Sequence, residues 1–363
     1  MRKIGWLLLF VIALFFTRPL WEEYTVEYVD LAFLNPVDDW IESLEVEQYL
    51  DEVKAYWMQA KDEPATHITA SESDQKTLPG TGIELDEIKI GMKKSEIEKI
   101  HGDAKRVSLN EYSLVWHTYH ENYQNFMMVS YDSNNRVNAM FTNQPSESSF
   151  LGLKMNSTRE EVLLQLDEPI KKLKKGNIIY LLPDAGEYDL FLIDNNYVTF
   201  FYDLHENNTI TAIQVVEKSV EKNHESTFGV PSNELKKGFE FQLFDLTNAA
   251  RVVHGLSVLS YDESVSNTAR KHSEDMAIHN YFSHENLEGK SPFNRLEEDG
   301  LSFSYAGENL AYGQTSSIFA HEGLMNSLGH RKNILSIHYE NLGVGTAFDK
   351  KSTPYYTENF FTN

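Results

Sequence analysis

The sequence predicts an α+β fold in two parts: a C-terminal three-layer α-β-α sandwich, preceded by an α+β domain of two tandem helix-plus-meander repeats. The chain has 363 residues, which suits two domains, and 41% of them are hydrophobic, enough to fill two cores. Helical and strand-like segments alternate after residue 234, whereas residues 83–220 contain two similar segments. We therefore expect domains at 83–220 and 234–363.

The charge and the absence of cysteine exclude several classes of function. The formal net charge is −23, which disfavours nucleic acid and anionic lipid surfaces as partners because phosphate binding depends on lysine and arginine. Cations are the more natural companions of such a chain. With no cysteine, disulfides, thiolate metal sites and a cysteine nucleophile are all excluded.

The N-terminus has the layout of an export signal. Met1-Arg2-Lys3 is basic, and residues 4–16 are apolar except for Gly5. This run is short of the ~20 residues of a full span, and the bulky residues after it offer no small-x-small cleavage site. We predict that residues 1–20 form an uncleaved signal anchor, with the bulk of the chain outside the cell; the alternative is a cleaved signal peptide and secretion.

Residues 21–82 are predicted to be an amphipathic helix followed by an acidic linker. Apolar residues recur at near-helical spacing between Pro36 and Ala60, among acids. Residues 62–82 are rich in glutamate, serine, threonine and proline, which is typical of a solvated linker.

The two similar segments in residues 83–220 are offset by about 65 residues, which indicates an internal repeat. Each is predicted to be a short helix followed by three or four strands, with turns at residues 132–135 and 206–208. The aromatic residues of this region, such as Trp116 and Phe126, are predicted to be core or cross-strand residues. A spacer or binding role follows for this domain, because no catalytic residues cluster in it.

In the C-terminal part, apolar spacing from Phe239 to Val253 predicts a helix, and Asp262 is a suitable cap for the next one. The apolar stripe of that second helix includes His272, which we interpret as a hydrogen-bonded core residue. Strand-like runs follow at residues 342–348 and 355–361.

Three short pieces of this part stand out, each in a setting of small residues: Tyr281-Phe282-Ser283-His284, Ala306-Gly307-Glu308-Asn309-Leu310-Ala311 and Asn326-Ser327-Leu328-Gly329-His330-Arg331-Lys332-Asn333. The order and residue identities of these pieces, together with residues 268–277 upstream and 342–345 downstream, closely resemble the motifs of the SCP/CAP domain. That domain occurs in cysteine-rich secretory proteins, venom antigens and plant pathogenesis-related proteins. The resemblance covers about residues 239–363, in a cysteine-free bacterial form, and implies the same three-layer architecture. Residues 83–220 look like the domain that accompanies SCP domains in some spore-forming bacteria.

His284, Glu308 and His330 are the candidate site residues. Two imidazoles and a carboxylate suit zinc or another divalent ion, with His284 and His330 as the metal ligands. From spacing alone, the better interpretation is that each histidine satisfies backbone groups at a helix end, which is where we expect all three residues to lie. The resemblance implies instead that they match three of the four cleft residues of SCP domains. Ser327, which stands where the family has a second glutamate, is included among the candidate ligand-binding residues, and Glu322 is too far upstream to replace that glutamate.

Two residues adjacent to these three are weaker candidates for the site. Asn309 is a candidate ligand-binding residue, although asparagine more often ties down a loop, and Arg331 is expected to pair with an acid and hold the His330 turn. The run His321-Glu322-Gly323-Leu324-Met325 is not a zincin helix, because Met325 replaces the second histidine.

The sequence leaves three functions from different classes. The first is an extracellular, membrane-tethered binding protein whose cleft takes a divalent cation or a small ligand, such as an envelope component. The second is a metal-dependent hydrolase of the cell envelope, acting on peptide or glycan, with Glu308 as the general base. The third is a purely structural envelope protein in which the cleft is vestigial. Ser327 favours the third over the second, because it removes one of two carboxylates.

Overall fold

The structure is a computed structural model that describes residues 84–85, 87–144, 152–166, 168–175, 178–182, 185–224 and 226–363. All of them belong to one compact unit, residues 74–363. The predicted signal anchor and all of the predicted helix and linker that follow it, residues 1–82, lie outside the described residues. Within the described part, no helix is long and apolar enough to cross a membrane.

We call residues 84–224 the accessory domain. Its elements in chain order are β1 (Glu84–Leu85), β2 (Ile88–Lys89), α1 (Lys94–His101), β3 (Arg106–Leu109), β4 (Val115–Glu121), β5 (Gln124–Tyr131), β6 (Val137–Thr142), α2 (Arg159–Leu166), β7 (Lys172–Lys175), β8 (Ile178–Leu181), β9 (Tyr188–Ile193), β10 (Asn196–Asp203), β11 (Thr209–Glu217) and α3 (Lys218–Asn223).

Seven strands of this domain form one antiparallel sheet in the order β3-β4-β5-β6-β11-β10-β9. Each half contributes a short helix and a run of strands, and the halves meet where β6 pairs with β11. Turns fall at the predicted places, with asparagines in the left-handed conformation: Asn135 (φ 55°), Asn207 (φ 57°) and Asn208 (φ 52°).

We call residues 233–363 the SCP domain, after the family that its motifs resemble. Its elements are α4 (Asn233–Val253), β12 (Ser260–Tyr261), α5 (Glu263–His279), α6 (Pro292–Glu298), β13 (Tyr305–Tyr312), α7 (Ser317–Asn326), α8 (Leu328–Ile334), β14 (Asn341–Phe348) and β15 (Pro354–Thr362). The sheet has the order β12-β14-β15-β13, which leaves β13 at an edge.

Helices cover both faces of this sheet, which confirms the α+β class and the three-layer sandwich. Residues of α5 and α6 pack with Leu310 and Phe361 on one face, and residues of α4 pack with Val344 and Phe360 on the other. Asp262 caps α5 as predicted, because its side chain accepts hydrogen bonds from the backbone N–H groups of residues 264 and 265. The helix α4 begins earlier than its apolar pattern indicated, at a cap formed by Ser232.

The two domains share a hydrophobic core, which the sequence analysis did not anticipate. Trp116 and Phe126 of the accessory sheet are buried in one cluster with Phe239 and Leu243 of α4. A partly buried ion pair reinforces the contact, with Arg106 Nε 2.8 Å from the buried Asp245 Oδ2. The accessory domain is therefore packed against the SCP domain rather than held apart from it as a free spacer.

Candidate functional site

The three predicted site residues are carried by three different elements of the SCP domain. His284 lies in the loop that follows α5, Glu308 lies in the middle of β13, and His330 is the third residue of α8. The expectation that all three flank helix ends is wrong for Glu308. Its setting on an edge strand points its carboxylate towards α5 and α6, the face on which Leu310 is buried.

Hydrogen bonds link the side chains of His284, Glu308 and Arg295, which lie in the loop after α5, in β13 and in α6. We call these three side chains the triad. His284 Nδ1 lies 2.9 Å from Glu308 Oε1, and Arg295 Nη2 donates to Glu308 Oε2 at 2.6 Å. Since an ionised carboxylate only accepts, His284 carries its proton on Nδ1. Both carboxylate oxygens are thus occupied, and among the described residues none hydrogen-bonds to the other ring nitrogen, Nε2.

Arg295 is a site residue that sequence reasoning missed. It is 8% exposed and also donates to the backbone carbonyl of His284 at 2.7 Å, so it fixes both members of the His284–Glu308 pair. The buried Glu308 carboxylate needs a compensating cation, and α6 places Arg295 beside it. The available sequence signal was an arginine in a short helix with a strong start, the capping box formed by Ser291 and Asn294.

His330, on α8, is a half-buried imidazole. Burial, and then the charge of His284, lower the pKa of His330 below its usual 6.5, which keeps the ring neutral at pH 7. Its Nδ1 is buried without a hydrogen-bond partner in the described part of the chain.

Asn309 is not exposed to the cleft, which corrects its assignment as a ligand-binding residue. The side chain is fully buried, and its amide group donates to the carbonyl of His330 at 3.2 Å and to Glu358 Oε2 at 3.0 Å. Its Oδ1 accepts from Asn333 Nδ2 at 2.9 Å. Asn309 therefore fastens α8 to the sheet and helps to hold His330 in place.

Ser327 and Glu322 supply no second carboxylate to the cleft. Ser327 is the cap residue between α7 and α8, and its hydroxyl makes no capping bond. Glu322 faces the accessory domain, where Thr211 donates to its Oε2 at 3.3 Å. His321 is fully buried, and burial lowers its pKa to about 3, so no zincin-like pair forms on α7.

Of the candidate site residues, His284 and His330 have side chains that can coordinate a metal ion directly. Among the described residues, no group of three or more histidine, cysteine, aspartate or glutamate side chains is arranged to hold a metal. Glu308 is instead placed behind His284, as carboxylates that orient metal-binding histidines commonly are. A cation in the cleft would find His284 Nε2 and the ring of His330, with water at the remaining positions.

Sequence comparisons cover both domains. Residues 90–227 match the CAP-associated N-terminal family, and residues 244–360 match the cysteine-rich secretory protein family, CAP. The chain is 30% identical over 289 residues to YlbC of Bacillus subtilis (strain 168), an uncharacterized membrane protein, across 75% of this chain and 82% of that one. It is 41% identical over 120 residues to the uncharacterized protein YkwD of the same strain, which covers 33% of this chain and 46% of YkwD.

Solved structures show the same fold at lower identity. An extracellular protein containing a SCP domain from Bacillus anthracis str. Ames has a TM-score of 0.65 at 24% identity, covering 80% of this chain and 99% of that one. A cysteine-rich secretory protein from Staphylococcus aureus subsp. aureus Mu50 has a TM-score of 0.60 at 16% identity, covering 76% and 94%. The chain therefore belongs to the SCP/CAP family, the cysteine-rich secretory proteins, in the form that carries a CAP-associated N-terminal domain.

Proposed function

We propose that this protein is an extracellular, membrane-tethered binding protein whose SCP cleft holds a divalent cation, zinc by preference, without catalysing a reaction. His284 and His330 are the protein ligands, and an envelope component or small ligand would complete the coordination. Imidazole nitrogen suits zinc, and the chain's net charge of −23 favours cations in general.

The observation that carries the proposal is the hydrogen bond between His284 Nδ1 and Glu308 Oε1, at 2.9 Å. A carboxylate on one ring nitrogen fixes the tautomer, orients the ring and raises the basicity of the other nitrogen. Arg295 holds that carboxylate from its far side at 2.6 Å, so the orientation does not depend on a bound ion. The cleft thus contains one histidine prepared for coordination and a second one, His330, kept neutral by burial.

The same geometry supports binding rather than hydrolysis. A general base needs an oxygen within reach of the attacking water, whereas the Glu308 side chain is only 1% exposed and is oriented by hydrogen bonds from His284 and Arg295. Ser327 leaves the cleft without a second carboxylate to take over that role. No contact of the described residues favours the hydrolase over the binding protein.

Replacing either histidine by alanine should weaken zinc binding by about tenfold or more, because each provides one of two protein ligands. Isothermal titration of zinc into wild type, His284→Ala and His330→Ala measures this. His279→Ala is the matched control, since His279 is an exposed histidine on α5 that pairs with Asp275 outside the cleft. Below about pH 6, binding should also weaken as imidazole takes up protons.

Unchanged zinc stoichiometry and affinity in both folded cleft variants would show that the cation binds elsewhere. Turnover of envelope peptide or glycan that disappears with chelator and returns with zinc would replace the binding assignment with the hydrolase. A binding protein should instead take up zinc with no turnover.

The tether is a separate part of the proposal and rests on the basic start and apolar run of residues 1–16. The name of YlbC, a membrane protein, supports it by similarity. We expect the intact protein in the membrane fraction, with its bulk open to external protease. Recovery of most of the chain in the medium, beginning after about residue 20, would mean that the signal is cleaved.

A further inference from the structure

The β10–β11 turn of the accessory domain, which we define as residues 202–208, contacts the junction between α7 and α8 of the SCP domain. Asn326, the last residue of α7, is held from three directions. Its Oδ1 accepts from the backbone N–H of Leu204 at 2.9 Å, and its Nδ2 donates to the carbonyl of Tyr202 at 2.9 Å. Its own carbonyl accepts from His205 Nε2 at 2.8 Å.

An ion pair between the domains lies next to His330. Arg331 Nη1 is 2.7 Å from Asp203 Oδ2, and the two side chains are 12% and 5% exposed. Its Nη2 lies 3.6 Å from Glu206 Oε1 in the same turn. This confirms that Arg331 pairs with an acid, and the acids belong to the other domain. Asp203 is itself held in place, because its Oδ1 accepts from the backbone N–H of His205 at 2.8 Å.

Close packing does not by itself determine the position of this junction. A cavity of about 220 Å³ lies between the domains here, lined by residues that include Asp203, Thr211, Glu322, Asn326 and Arg331. Side chains beside a cavity lack the dense contacts that hold an ordinary core. The polar contacts of Asn326 and Arg331 therefore restrain α8 from this side.

We propose that Asp203 and the β10–β11 turn are positioning elements for His330, and that the accessory domain thereby sets the cation affinity of the SCP cleft. Asn309 fastens α8 to the sheet on the SCP side, and the turn fastens it on the other side. If the contacts of Asn326 and Arg331 with the turn are lost, α8 shifts relative to β13. The imidazole of His330 then moves away from the position in which it can share a cation with His284. This inference rests on the proposed function, because zinc is the ligand whose affinity would report the change.

The test measures zinc affinity and hydrogen exchange of backbone amides 328–334 in the full-length protein. Asp203→Asn keeps the bond to the His205 N–H but removes the charge that Arg331 needs, and Asn326→Ala removes both side-chain bonds to the turn. Each should weaken zinc binding about tenfold, the usual effect of losing a residue that orients a metal ligand, and should speed exchange in α8. Arg331→Lys, which retains the cation, should lose less than Arg331→Met. The double variant Asp203→Asn/Arg331→Met should be no weaker than Arg331→Met alone.

Asp245→Asn is the matched control, because Asp245 pairs with Arg106 across the same two domains without contacting α8. It should leave zinc affinity unchanged. Equal losses in the Asp245 and Asp203 variants, or wild-type affinity and exchange in the Asp203 and Asn326 variants, would overturn the positioning role. If wild type binds no zinc, the proposed function fails, and the exchange of residues 328–334 alone decides whether the turn positions α8. Should Asp203→Asn not fold, Arg331→Lys against Arg331→Met decides the question.

Discussion

Replacing Gly238 by alanine is expected to lower the free energy of unfolding by about 3 kcal/mol and to loosen the contact between the two domains. Gly238 lies inside α4, on the face that meets β3 of the accessory domain. A Cβ atom there would sit 2.1 Å from the carbonyl oxygen of Leu109 and 3.1 Å from its carbonyl carbon and nitrogen. These are backbone atoms of a paired strand, so they cannot turn aside as a side chain would.

The sign of the change in unfolding free energy separates the effect of this close contact from the effect of helix propensity. In an isolated helix, glycine to alanine is stabilising by about 0.5–1 kcal/mol. Gly323 provides that reference, because it lies inside α7 and no atom comes within 4 Å of its added Cβ. We therefore expect Gly323→Ala to be neutral or stabilising and Gly238→Ala to be strongly destabilising.

Denaturant unfolding of both variants measures the difference, and limited proteolysis of residues 217–233 reports the loosened contact. Equal stability of Gly238→Ala and wild type would mean that α4 and β3 can separate at no cost. The shared core would then be too compliant for one domain to position residues of the other.

The sequence was sufficient for the elements whose patterns are local. The four-and-three spacing of Phe239, Leu243 and Leu246 predicted α4, and Asp262 marked the start of α5, because caps and apolar stripes act within one or two turns. The family motifs likewise led to His284, Glu308 and His330. Each of these signals is carried by residues close together in the chain.

Features that depend on distant residues could not be predicted in this way. Glu308 was expected at a helix end because it follows Gly307 in a setting of small residues, whereas pairing with β15 makes the segment a strand. The role of Arg295 depends on α6 folding back onto β13. Asn309 is a residue type common at ligands and in buried networks alike, and only its three partners distinguish the two.

One feature of the sequence, the continuous apolar run in β6, is related to the shared core. Every position of β6, residues 137–142, is buried in the structure, so both faces of that strand are covered. A strand at the surface of a two-layer domain would alternate between apolar and polar residues. Continuous apolar character in Ala139-Met140-Phe141 therefore indicated a covering layer, but not that α4 of the other domain supplies it.

Stability should also fall as pH rises from 5 to 9, and Glu322→Gln should remove much of that fall. Burial raises the pKa of Glu322 from 4.5 to about 8, the proximity of Asp203 adds to this, and the Thr211 hydrogen bond and Arg331 only partly oppose it. Between these two values the folded protein keeps a proton that the unfolded chain has released. Raising the pH therefore favours unfolding, and the contribution is fully present below about pH 4.5 and lost as pH passes about 8.

At 1.36 kcal/mol for each pKa unit, this single carboxyl can cost the folded state up to about 5 kcal/mol at high pH. Glutamine has nearly the same shape, can still accept from Thr211 and never ionises, so Glu322→Gln should match wild type near pH 5 and exceed its stability at pH 9 by several kcal/mol. Urea unfolding at intervals between those values measures both slopes, with the exposed Glu297→Gln as the control. Parallel pH profiles for Glu322→Gln and wild type would mean that Glu322 reaches water or a cation through the interdomain cavity and ionises in the folded protein at little cost.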